Sequence, residues 1–387
     1  MRYLGRDFYV ALFLLTFFAI YGGFHFYFYL KVRAAFAPGA ASQAILVALL
    51  ALGLIAPILV RICEQYGLEM AARLLSWAGY LWMAFLLLFF SVSILFDLWR
   101  FLVYLAGWVL RCDVGVLLPS ARLLFLVPTA VALGIVLYGA NDARWIRSES
   151  LVIHSGKIPK ETGRIRIVQI SDLHVGTIIR GRYLADILQT VKEAKPDLLL
   201  STGDLVDGQG NDLSEAAAQL REINPRYGKF AITGNHEFYA GLENSVDFTE
   251  KAGFTLLRGG VATVAGQIDL IGVDDLEVQR FTGPGHPPDR EILSRADAGR
   301  FRIFLKHRPL VEREIIGAFE LQLSGHTHKG QIFPFSLITR LVFPFHAGDY
   351  QLAEGVLLHV SRGTGTWGPP VRFLANPEIT VIDLMPR

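Results

Sequence analysis

The chain has 387 residues, of which 52% are hydrophobic and 19% are charged, and its formal net charge is +2. Soluble domains carry about 25% charged residues, so part of this chain is expected in lipid, and the near-neutral charge gives no reason to expect nucleic acid. Two widely separated cysteines, Cys63 and Cys112, suggest neither a disulfide framework nor a cysteine-ligated zinc site. Charged residues are sparse before Asn141 and ordinary after it, which predicts two regions of different kinds.

Four apolar stretches in the first 140 residues predict transmembrane helices. They cover residues 8–30, 42–60, 74–96 and 117–138. Each is about 19 to 23 residues long, enough to cross the hydrocarbon core, and none shows the polar face of a soluble helix. Residues 101–110 are apolar but short, and we interpret them as interfacial or as an extension of the third helix. The alternative that the first stretch is a signal peptide is weak, because it is long and lacks a usual cleavage site.

Lysine and arginine residues near the helix ends predict the orientation. Their balance mildly favours an N-terminus in the cytoplasm, and four crossings return the chain there. We therefore expect a multi-pass membrane protein, with a linker at residues 141–163 and the last domain in the cytoplasm. One miscounted helix would invert this orientation. The apolar stretches contain neither the paired acids nor the broken helices that would indicate a transporter.

From about residue 164 the sequence changes to short β-type runs separated by turns. Strands are predicted at residues 165–171, 198–202, 230–233, 268–273, 301–305, 321–324, 356–360 and 379–384. Helices are predicted at residues 184–194, 213–223 and 311–319. Residues 275–298 are predicted to form a long loop that could act as a lid. Strands mixed with helices predict an α/β domain of packed sheets over residues 164–387.

Polar side chains of the metal-binding types follow five of the predicted strands. They are Asp172 and His174, Asp204 and Asp207, Asn235 and His236, His307, and His326 and His328. Residues two apart on an extended chain point the same way, so Asp172 and His174 are expected to share a face. The same spacing applies to His326 and His328. The set therefore predicts one site built from several strand ends.

Glycine precedes three of these polar residues, Asp204, Asn235 and His326. Glycine at such positions allows tight turns and close backbone approach. The alternative is that these residues are only hydrogen-bonded polar groups at loop tips, and it is weak for the whole set. It stays open for Asp207, which could simply close its turn.

The chemistry of these candidate ligands indicates the class of metal. Carboxylates, imidazoles and one amide oxygen, without thiolate, suit manganese, iron, zinc or nickel. Seven of these residues are candidate ligands: Asp172, His174, Asp204, Asn235, His307, His326 and His328. Seven are too many for one ion, but they suffice for two ions about 3.5 to 4 Å apart that share a carboxylate. Such a pair lowers the pKa of a bridging water, which attacks phosphorus in line, and stabilises the charge that develops.

Taken together, the motifs resemble those of the calcineurin-like metallophosphoesterases. The resemblance covers residues 165–384 and rests on Asp172-x-His174, Gly203-Asp204-x-x-Asp207, Gly234-Asn235-His236-Glu237, His307 and Gly325-His326-x-His328. It implies a two-sheet β-sandwich flanked by helices, with the metals at the strand ends.

The resemblance also implies a role for each site residue. Asp172, His174 and His328 would hold one metal, and Asn235, His307 and His326 would hold the other. Asp204 would bridge the two. His236 would bind no metal, but would contact the scissile phosphate and protonate or stabilise the leaving oxygen.

Two longer segments, residues 324–331 and 361–372, resemble a membrane-associated bacterial branch of that family. The branch includes phosphodiesterases and relatives of UDP-2,3-diacylglucosamine pyrophosphate hydrolase, so the resemblance also implies a bacterial inner membrane. Lys329 stands where glycine is usual, which leaves the substrate open. Glu237 stands where aspartate is common and is expected to accept hydrogen bonds behind the ligands. Arg362 and Arg372 could bind phosphate or carry plain surface charge.

Residues 332–345 are mostly apolar and directly follow the Gly-His-Thr-His motif. One hypothesis makes them an apolar wall beside the site, for acyl chains or for contact with the bilayer. Ordinary core packing is an equal alternative.

The sequence thus favours a membrane-anchored phosphoesterase with two metals that hydrolyses a phosphodiester or pyrophosphate bond, in a phosphorylated and lipid-linked substrate. Phosphomonoesters or nucleotides are alternative substrates. An alternative of another class is a non-catalytic membrane receptor or scaffold that retained its metal site. Besides the lipid bilayer no partner is indicated, and the oligomeric state and the natural substrate stay open.

Overall fold

The computed structural model describes residues 2–208, 213–282 and 287–387, and within them the side chains of residues 2–10, 13 and 282 are left aside. The chain divides into two compact units. The first contains Leu74–Tyr138 and the chain up to Ile62. The second contains Cys63–Arg73 and Gly139–Arg387.

Long helices make up the first unit. They are α1 (Arg2–Phe36), α2 (Ala40–Gln65), α3 (Glu69–Leu110) and α4 (Leu123–Asp142). Among the side chains that are described, α2, α3 and α4 are long and apolar enough to cross a membrane. The predicted span at residues 8–30 lies within α1, but residues 8–10 and 13 of that span fall outside the described side chains. The first span therefore stays a prediction.

Two boundaries in this unit differ from those predicted. Residues 101–110 continue α3 as one helix, which makes them an extension of that helix. Helix α4 begins at Leu123 and not at residue 117, where a short 3₁₀ helix, Gly115–Leu117, ends. Pro119 lies between the two, and proline disfavours helical backbone at the residue before it.

Aromatic side chains pack the helices of the first unit together. The ring centroid of Phe89 lies 4.9 Å from that of Phe28 and 5.7 Å from that of Phe125. His25 is buried beside them, where its Nε2 accepts a hydrogen bond from the indole N–H of Trp82 at 3.0 Å. His25 is therefore a packed residue of the helical unit.

Within the described residues of the second unit, twelve strands form two six-stranded sheets. The first sheet has the order β1-β12-β2-β3-β4-β5. Its strands are β1 (Arg147–Ser155), β2 (Ile165–Ile170), β3 (Leu198–Ser201), β4 (Lys229–Ala231), β5 (Thr255–Leu256) and β12 (Glu378–Pro386). Strands β2 to β5 are parallel, so their carboxyl ends lie at one edge.

The second sheet has the order β10-β11-β9-β8-β7-β6. Its strands are β6 (Gly260–Val264), β7 (Ile268–Gly272), β8 (Phe301–Leu305), β9 (Leu321–Ser324), β10 (Gly348–Ala353) and β11 (Val356–Val360). The four central strands are parallel, and the outer strands β6 and β10 are antiparallel to their neighbours.

Short helices complete this unit. They are α5 (Gly181–Glu193), α6 (Ser214–Arg221), α7 (Asn235–Tyr239), α8 (Leu242–Lys251), α9 (Val278–Thr282), α10 (Asp289–Leu293) and α11 (Phe335–Val342). Strand β3 shows how the layers pack. Leu199 packs in a cluster with residues of α5, α6 and α8, whereas Leu198 and Leu200 pack between the two sheets. Both faces of the strand are buried, which explains its continuous apolar run. The predicted fold class, apolar helices followed by a two-sheet α/β domain, is confirmed.

Three segments of this unit differ from the prediction. Residues 141–163, predicted as a linker, contain β1, which pairs in parallel with β12 from Arg147 opposite Glu378 to Ser155 opposite Pro386. Its apolar run is only three residues long, 151–153, and most of its side chains are exposed. Residues 311–319 hold only a 3₁₀ helix, Arg313–Ile315, which ends where Ile316 adopts extended backbone. The predicted loop at residues 275–298 contains α9 and α10.

Candidate metal centre

The candidate ligands all lie in turns that follow strands of the two sheets. Asp172 and His174 follow β2, Asp204 follows β3, and Asn235 begins α7 just after β4. From the second sheet, His307 follows β8, and His326 and His328 follow β9. Since the carboxyl ends of parallel strands share an edge, the topology brings these turns together from both sheets.

One cluster consists of Asp172, His174 and His328. The Nε2 atoms of the two imidazoles lie 3.1 Å apart, and Nε2 of His328 is 3.4 Å from Oδ1 of Asp172. All three residues are buried. Three groups with free electron pairs thus face a common point.

A second cluster consists of Asp204, His307 and His326. Oδ2 of Asp204 lies 3.2 Å from Nε2 of His307, and that Nε2 lies 3.2 Å from Nδ1 of His326. The same Oδ2 lies 3.8 Å from Nε2 of His174 in the first cluster. A single carboxylate oxygen therefore faces both clusters, which is the place predicted for a bridging ligand.

The residues present fit two divalent cations. Imidazole nitrogens and carboxylate oxygens about 2.0 to 2.2 Å from one ion lie roughly 2.9 to 3.5 Å from each other, and the contacts within both clusters fall in that range. Oδ1 of Asn235 is buried and has no hydrogen-bond partner in the described parts of the chain. Nδ1 of His307 lies 2.7 Å from the carbonyl oxygen of Thr202, so an Nδ1–H donates there and leaves Nε2 free to bind metal.

Several ligands sit in strained backbone. Asp172, His174, Asp204, His326 and His328 all have φ between 48° and 70°, the left-handed region that residues other than glycine rarely adopt. The expectation that the paired ligands share a face of an extended chain is therefore wrong. The left-handed turns bring these side chains together, and backbone strain of this kind is typical of functional sites.

Close packing of the turns explains the glycines between them. A Cβ at Gly234 would lie 2.1 Å from Oδ1 of Asp204, and one at Gly325 would lie 2.3 Å from Oδ2 of Asp172. Any larger residue would therefore displace a candidate ligand. The predicted close approach of the backbone is confirmed at both positions.

Electrostatics differ among the candidate ligands. Burial raises the pKa of Asp204, but His307, His236 and His174 outweigh it and hold that pKa well below its usual value. Burial lowers the pKa of His326 and of His328 well below the usual value, which leaves both imidazoles neutral. Burial raises the pKa of Asp172, and the carboxylates of Asp204 and Asp172 raise the pKa of His307 to about 10 although burial opposes this. Asp204, His326 and His328 thus favour a cation, whereas the raised pKa values of Asp172 and His307 favour protonated forms that must release a proton when a metal binds.

His236 lies beside these clusters, where its ring centroid is 4.6 Å from that of His174. Its Nδ1 lies 3.1 Å from Oδ1 of Asp207. Burial opposes protonation of His236, but the carboxylates of Asp204 and Asp207 raise its pKa to about 9. The second aspartate of the Gly-Asp-x-x-Asp motif, left open in the sequence, thus orients the predicted catalytic imidazole.

Glu237 holds the turn that carries Asp204. Its carboxylate accepts hydrogen bonds from the backbone N–H groups of Asp204 at 3.0 Å, Leu205 at 2.7 Å and Gly234 at 2.6 Å. The expectation that it accepts hydrogen bonds behind the ligands is confirmed.

Both arginines contact other groups of the protein. Arg372 is fully buried, and its guanidinium donates to the carbonyl oxygens of His328 at 3.0 Å and Arg362 at 2.8 Å, as well as to that of Gly365. Arg362 pairs with Glu149 and Glu378. The contacts of Arg372 fit a residue that positions the His328 turn, and the suggestion that either arginine binds phosphate stays a prediction.

The surface around the clusters is apolar. Helix α11 has no buried residue, so the core-packing alternative does not apply to it. Phe343, just after α11, lies against His326 with ring centroids 5.1 Å apart. At the start of the predicted wall Ile332 is buried, whereas Phe333 is exposed.

Comparisons with known proteins agree with this site. A sequence profile described as calcineurin-like phosphoesterase matches residues 165–330. A metallophosphoesterase of Aquifex aeolicus is 39% identical over 256 residues, which cover 66% of this chain and 97% of that protein. The metallophosphoesterase YkuE of Bacillus subtilis is 34% identical over 63% of this chain and 87% of its own length. A transmembrane protein with metallophosphoesterase domain from Danio rerio is 34% identical over 67% of this chain, but the match spans only 62% of that protein. This relative and the apolar helices indicate association with a membrane.

Proposed function

The chain belongs to the calcineurin-like metallophosphoesterase family, and from this premise we propose that it hydrolyses a phosphodiester or pyrophosphate bond in a lipid-linked substrate. Membership implies a metal-dependent phosphoester hydrolase. The observation that carries the lipid part of the proposal is the exposed apolar helix α11, joined to the turn of the candidate ligands in a chain with membrane-type helices.

The two clusters supply the roles that this reaction needs. Asp172, His174 and His328 would hold one cation, and Asn235, His307 and His326 would hold the other, with Asp204 facing both. Two divalent cations bound there supply an activated water as nucleophile and neutralise the phosphoryl oxygens. The ligand chemistry suits manganese, iron, zinc or nickel and does not select one of them.

His236 handles the leaving group in this proposal. It lies beside the first cluster, and the Asp207 carboxylate at 3.1 Å holds its ring and favours the protonated form. A protonated imidazole donates a proton to the leaving oxygen as the bond to phosphorus breaks. The intact pairing of His236 and Asp207 favours an enzyme over a receptor that merely retained its metals.

Helix α11 is unusual because its apolar side chains face solvent. Leu341 is 86% exposed and Leu337 is 56% exposed, with Arg340 between them. Exposed contiguous apolar groups of this kind mark surfaces that bind lipid or partners. An acyl chain lying on α11 would reach Phe343 and hence the side of the site formed by His326. This support favours a lipid over a soluble nucleotide or phosphomonoester.

Three substrates test the proposal with the full chain in detergent micelles. Manganese-loaded protein should hydrolyse bis-p-nitrophenyl phosphate faster than p-nitrophenyl phosphate. It should prefer a diacylglycerol p-nitrophenyl phosphate in micelles to both, since that lipid presents the same scissile bond. Equal rates on the lipid and on the soluble diester would contradict the lipid proposal, and purified protein with two bound metals and no hydrolysis would favour the receptor.

A pair of exposed leucines provides a sharper test. The double variant Leu337→Ser/Leu341→Ser should lower kcat/KM for the lipid diester about tenfold, because it removes apolar contact area. Hydrolysis of soluble bis-p-nitrophenyl phosphate should not change. Val152→Ser, at a 58% exposed position on the edge strand β1, is the matched control and should affect neither substrate.

The orientation in the membrane, with the catalytic domain in the cytoplasm, is also a proposal, and the natural cysteines can test it. With the N-terminus inside, Cys63 lies on the cytoplasmic side and Cys112, which is exposed, on the opposite side. A membrane-impermeant maleimide should label Cys112 in intact cells of a bacterial host and Cys63 only after permeabilisation. The variant Cys112→Ser controls for other targets, and the reverse pattern would place the catalytic domain outside.

A further inference from the structure

Two exposed aromatic side chains flank His236. The ring centroid of Trp367 lies 5.8 Å from that of His236, and the ring centroid of Tyr239 lies 5.5 Å from it. Both rings stand nearly perpendicular to the imidazole, at 75° and 69°. Trp367 is 51% exposed and Tyr239 is 46% exposed, so each offers aromatic surface to a ligand.

The exposed position of Trp367 is fixed by the fold. Its backbone N–H donates to Oε1 of Gln331 at 2.9 Å, and Nε2 of Gln331 donates to the carbonyl oxygen of Trp367 at 2.9 Å. The same Nε2 also donates to the carbonyl oxygen of Pro369 at 2.9 Å. Gln331 is buried and lies three residues after His328, with a left-handed φ of 56°. The turn that carries two candidate ligands thus also places the tryptophan.

Tyr239 is placed by the neighbouring turn. It is the last residue of α7, the same short helix that begins with Asn235 and His236. Phe281, which is also exposed, lies 6.4 Å from Tyr239 by ring centroids and extends the aromatic surface. The His236 side of the centre therefore carries three exposed aromatic rings, Trp367, Tyr239 and Phe281.

We propose that Trp367 and Tyr239 form a subsite for a planar aromatic group bonded to the leaving oxygen. The inference rests on the proposed function, in which His236 faces that oxygen. An aromatic group attached there lies within reach of both rings, and flat rings stack on exposed tryptophan and tyrosine with a gain in binding. The acyl part of a substrate would lie on α11, and the leaving part would lie against Trp367.

Steady-state kinetics of Trp367→Ala in the full chain test this assignment. For bis-p-nitrophenyl phosphate and for ethyl p-nitrophenyl phosphate, both of which release an aromatic alcohol, KM should rise about tenfold with metal content unchanged. For bis-trifluoroethyl phosphate, followed by fluorine NMR, KM should not change. Trp367→Phe should restore most of the loss. Val152→Ser, at a 58% exposed apolar position on β1, is the control for the 51% exposed Trp367 and should leave KM unchanged for all three.

Two patterns would overturn the inference. An equal rise in KM for all three substrates would mean that the substitution disturbs the whole site and does not remove a contact with the aromatic group. A rise for the bis-aryl diester without one for the ethyl aryl diester would mean that the ring contacts the retained group.

A binding measurement separates failure of the subsite from failure of the proposed function. Phenylphosphonate and methylphosphonate carry carbon bonded directly to phosphorus, so they bind without being hydrolysed. By calorimetry the metal-loaded wild type should bind the phenyl compound about tenfold more tightly, and Trp367→Ala should lose this preference. Loss of the preference in a protein that hydrolyses nothing would keep the subsite and reject the reaction, while an unchanged preference would reject the subsite.

Discussion

The interior and the rim of the candidate centre invert the usual distribution of side chains in a protein. The interior is polar and buried, with Asp172, Asp204 and His328 packed among glycines in strained turns. The rim is apolar and exposed, with Leu341 on α11 and Trp367 beside His236. Burying ionisable groups and exposing apolar ones both cost free energy, and the fold bears both costs in one place. Under the proposed function the interior would perform the chemistry and the rim would select the substrate.

Removing the carboxylate shared by both clusters should have the largest effect. Asp204→Ala should lower kcat at least about a thousandfold, because the two cations lose their common ligand. Elemental analysis should find fewer than two metal ions per chain, while an exposed rim variant such as Leu341→Ser keeps the wild-type content. A fully active Asp204→Ala variant with two bound metal ions would contradict the assignment of Asp204 as a shared metal ligand.

The next largest effect is expected for an interior residue that is predicted to bind no metal. His236→Ala should lower kcat by about 10² to 10⁴, the usual contribution of a general acid, while metal content stays at the wild-type value. Kinetics and elemental analysis of the same preparation separate the two roles. Loss of metal in His236→Ala would instead make this histidine a ligand.

Adding one methyl group behind the ligands tests how tightly the interior is packed. In Gly325→Ala the new Cβ would lie 1.9 Å from Oγ of Ser171 and 2.3 Å from Oδ2 of Asp172. We expect a loss of about 1 to 3 kcal/mol in the free energy of unfolding and weaker metal binding. Gly156→Ala, where nothing lies within 4 Å, is the matched control. Thermal unfolding with and without metal measures both effects, and equal behaviour of the two variants would contradict the packing argument.

A buried charge outside the centre provides the smallest predicted effect. Lys229 is buried, and burial lowers its pKa from 10.5 to about 8, although its ammonium donates to the carbonyl oxygens of Leu220 at 2.9 Å and Ala252 at 2.6 Å. Between pH 8 and 10.5 the unfolded chain binds more protons at this lysine than the folded chain does. The free energy of unfolding should therefore rise with pH across that window, by at most about 3 kcal/mol from this group.

The variant Lys229→Met isolates this contribution. Its own free energy of unfolding should lack the rise that the wild type shows between pH 8 and 10.5. Denaturation of the two proteins at several pH values measures the difference, whatever their absolute stabilities. Parallel curves would show that Lys229 is not responsible.

Local sequence predicted much of the centre because its signals are local. Strand β9 and strand β11 were predicted with the bounds that the structure has, since short apolar runs end at glycine or serine. Strands β1 and β10 were missed, because both are edge strands without a buried residue, and the apolar run of β1 is only three residues long. Helix α8 was also missed, since most of its side chains are polar.

The sequence contains a signal for one further feature of the centre and none for another. Lys329 stands where glycine is usual, and its φ of 51° is the left-handed conformation that glycine adopts at least cost. Asp207 sits in a recognisable motif, yet its contact with His236 joins two different turns. The left-handed backbone at position 329 could have been expected from the glycine that is usual there. The contact between Asp207 and His236 follows only from the packing of two turns.

The sequence by itself determined which side chains are candidates for the chemistry, because ligand types, strand-end positions and preceding glycines are all properties of short segments. The tertiary structure alone decided how they meet. Pairing of strands distant in the chain set the order of the two sheets, and left-handed turns aimed Asp172, His174, Asp204 and His328 inward. It also decided that α11 and Trp367 face solvent, since exposure depends on what the rest of the fold leaves uncovered and no local pattern encodes it.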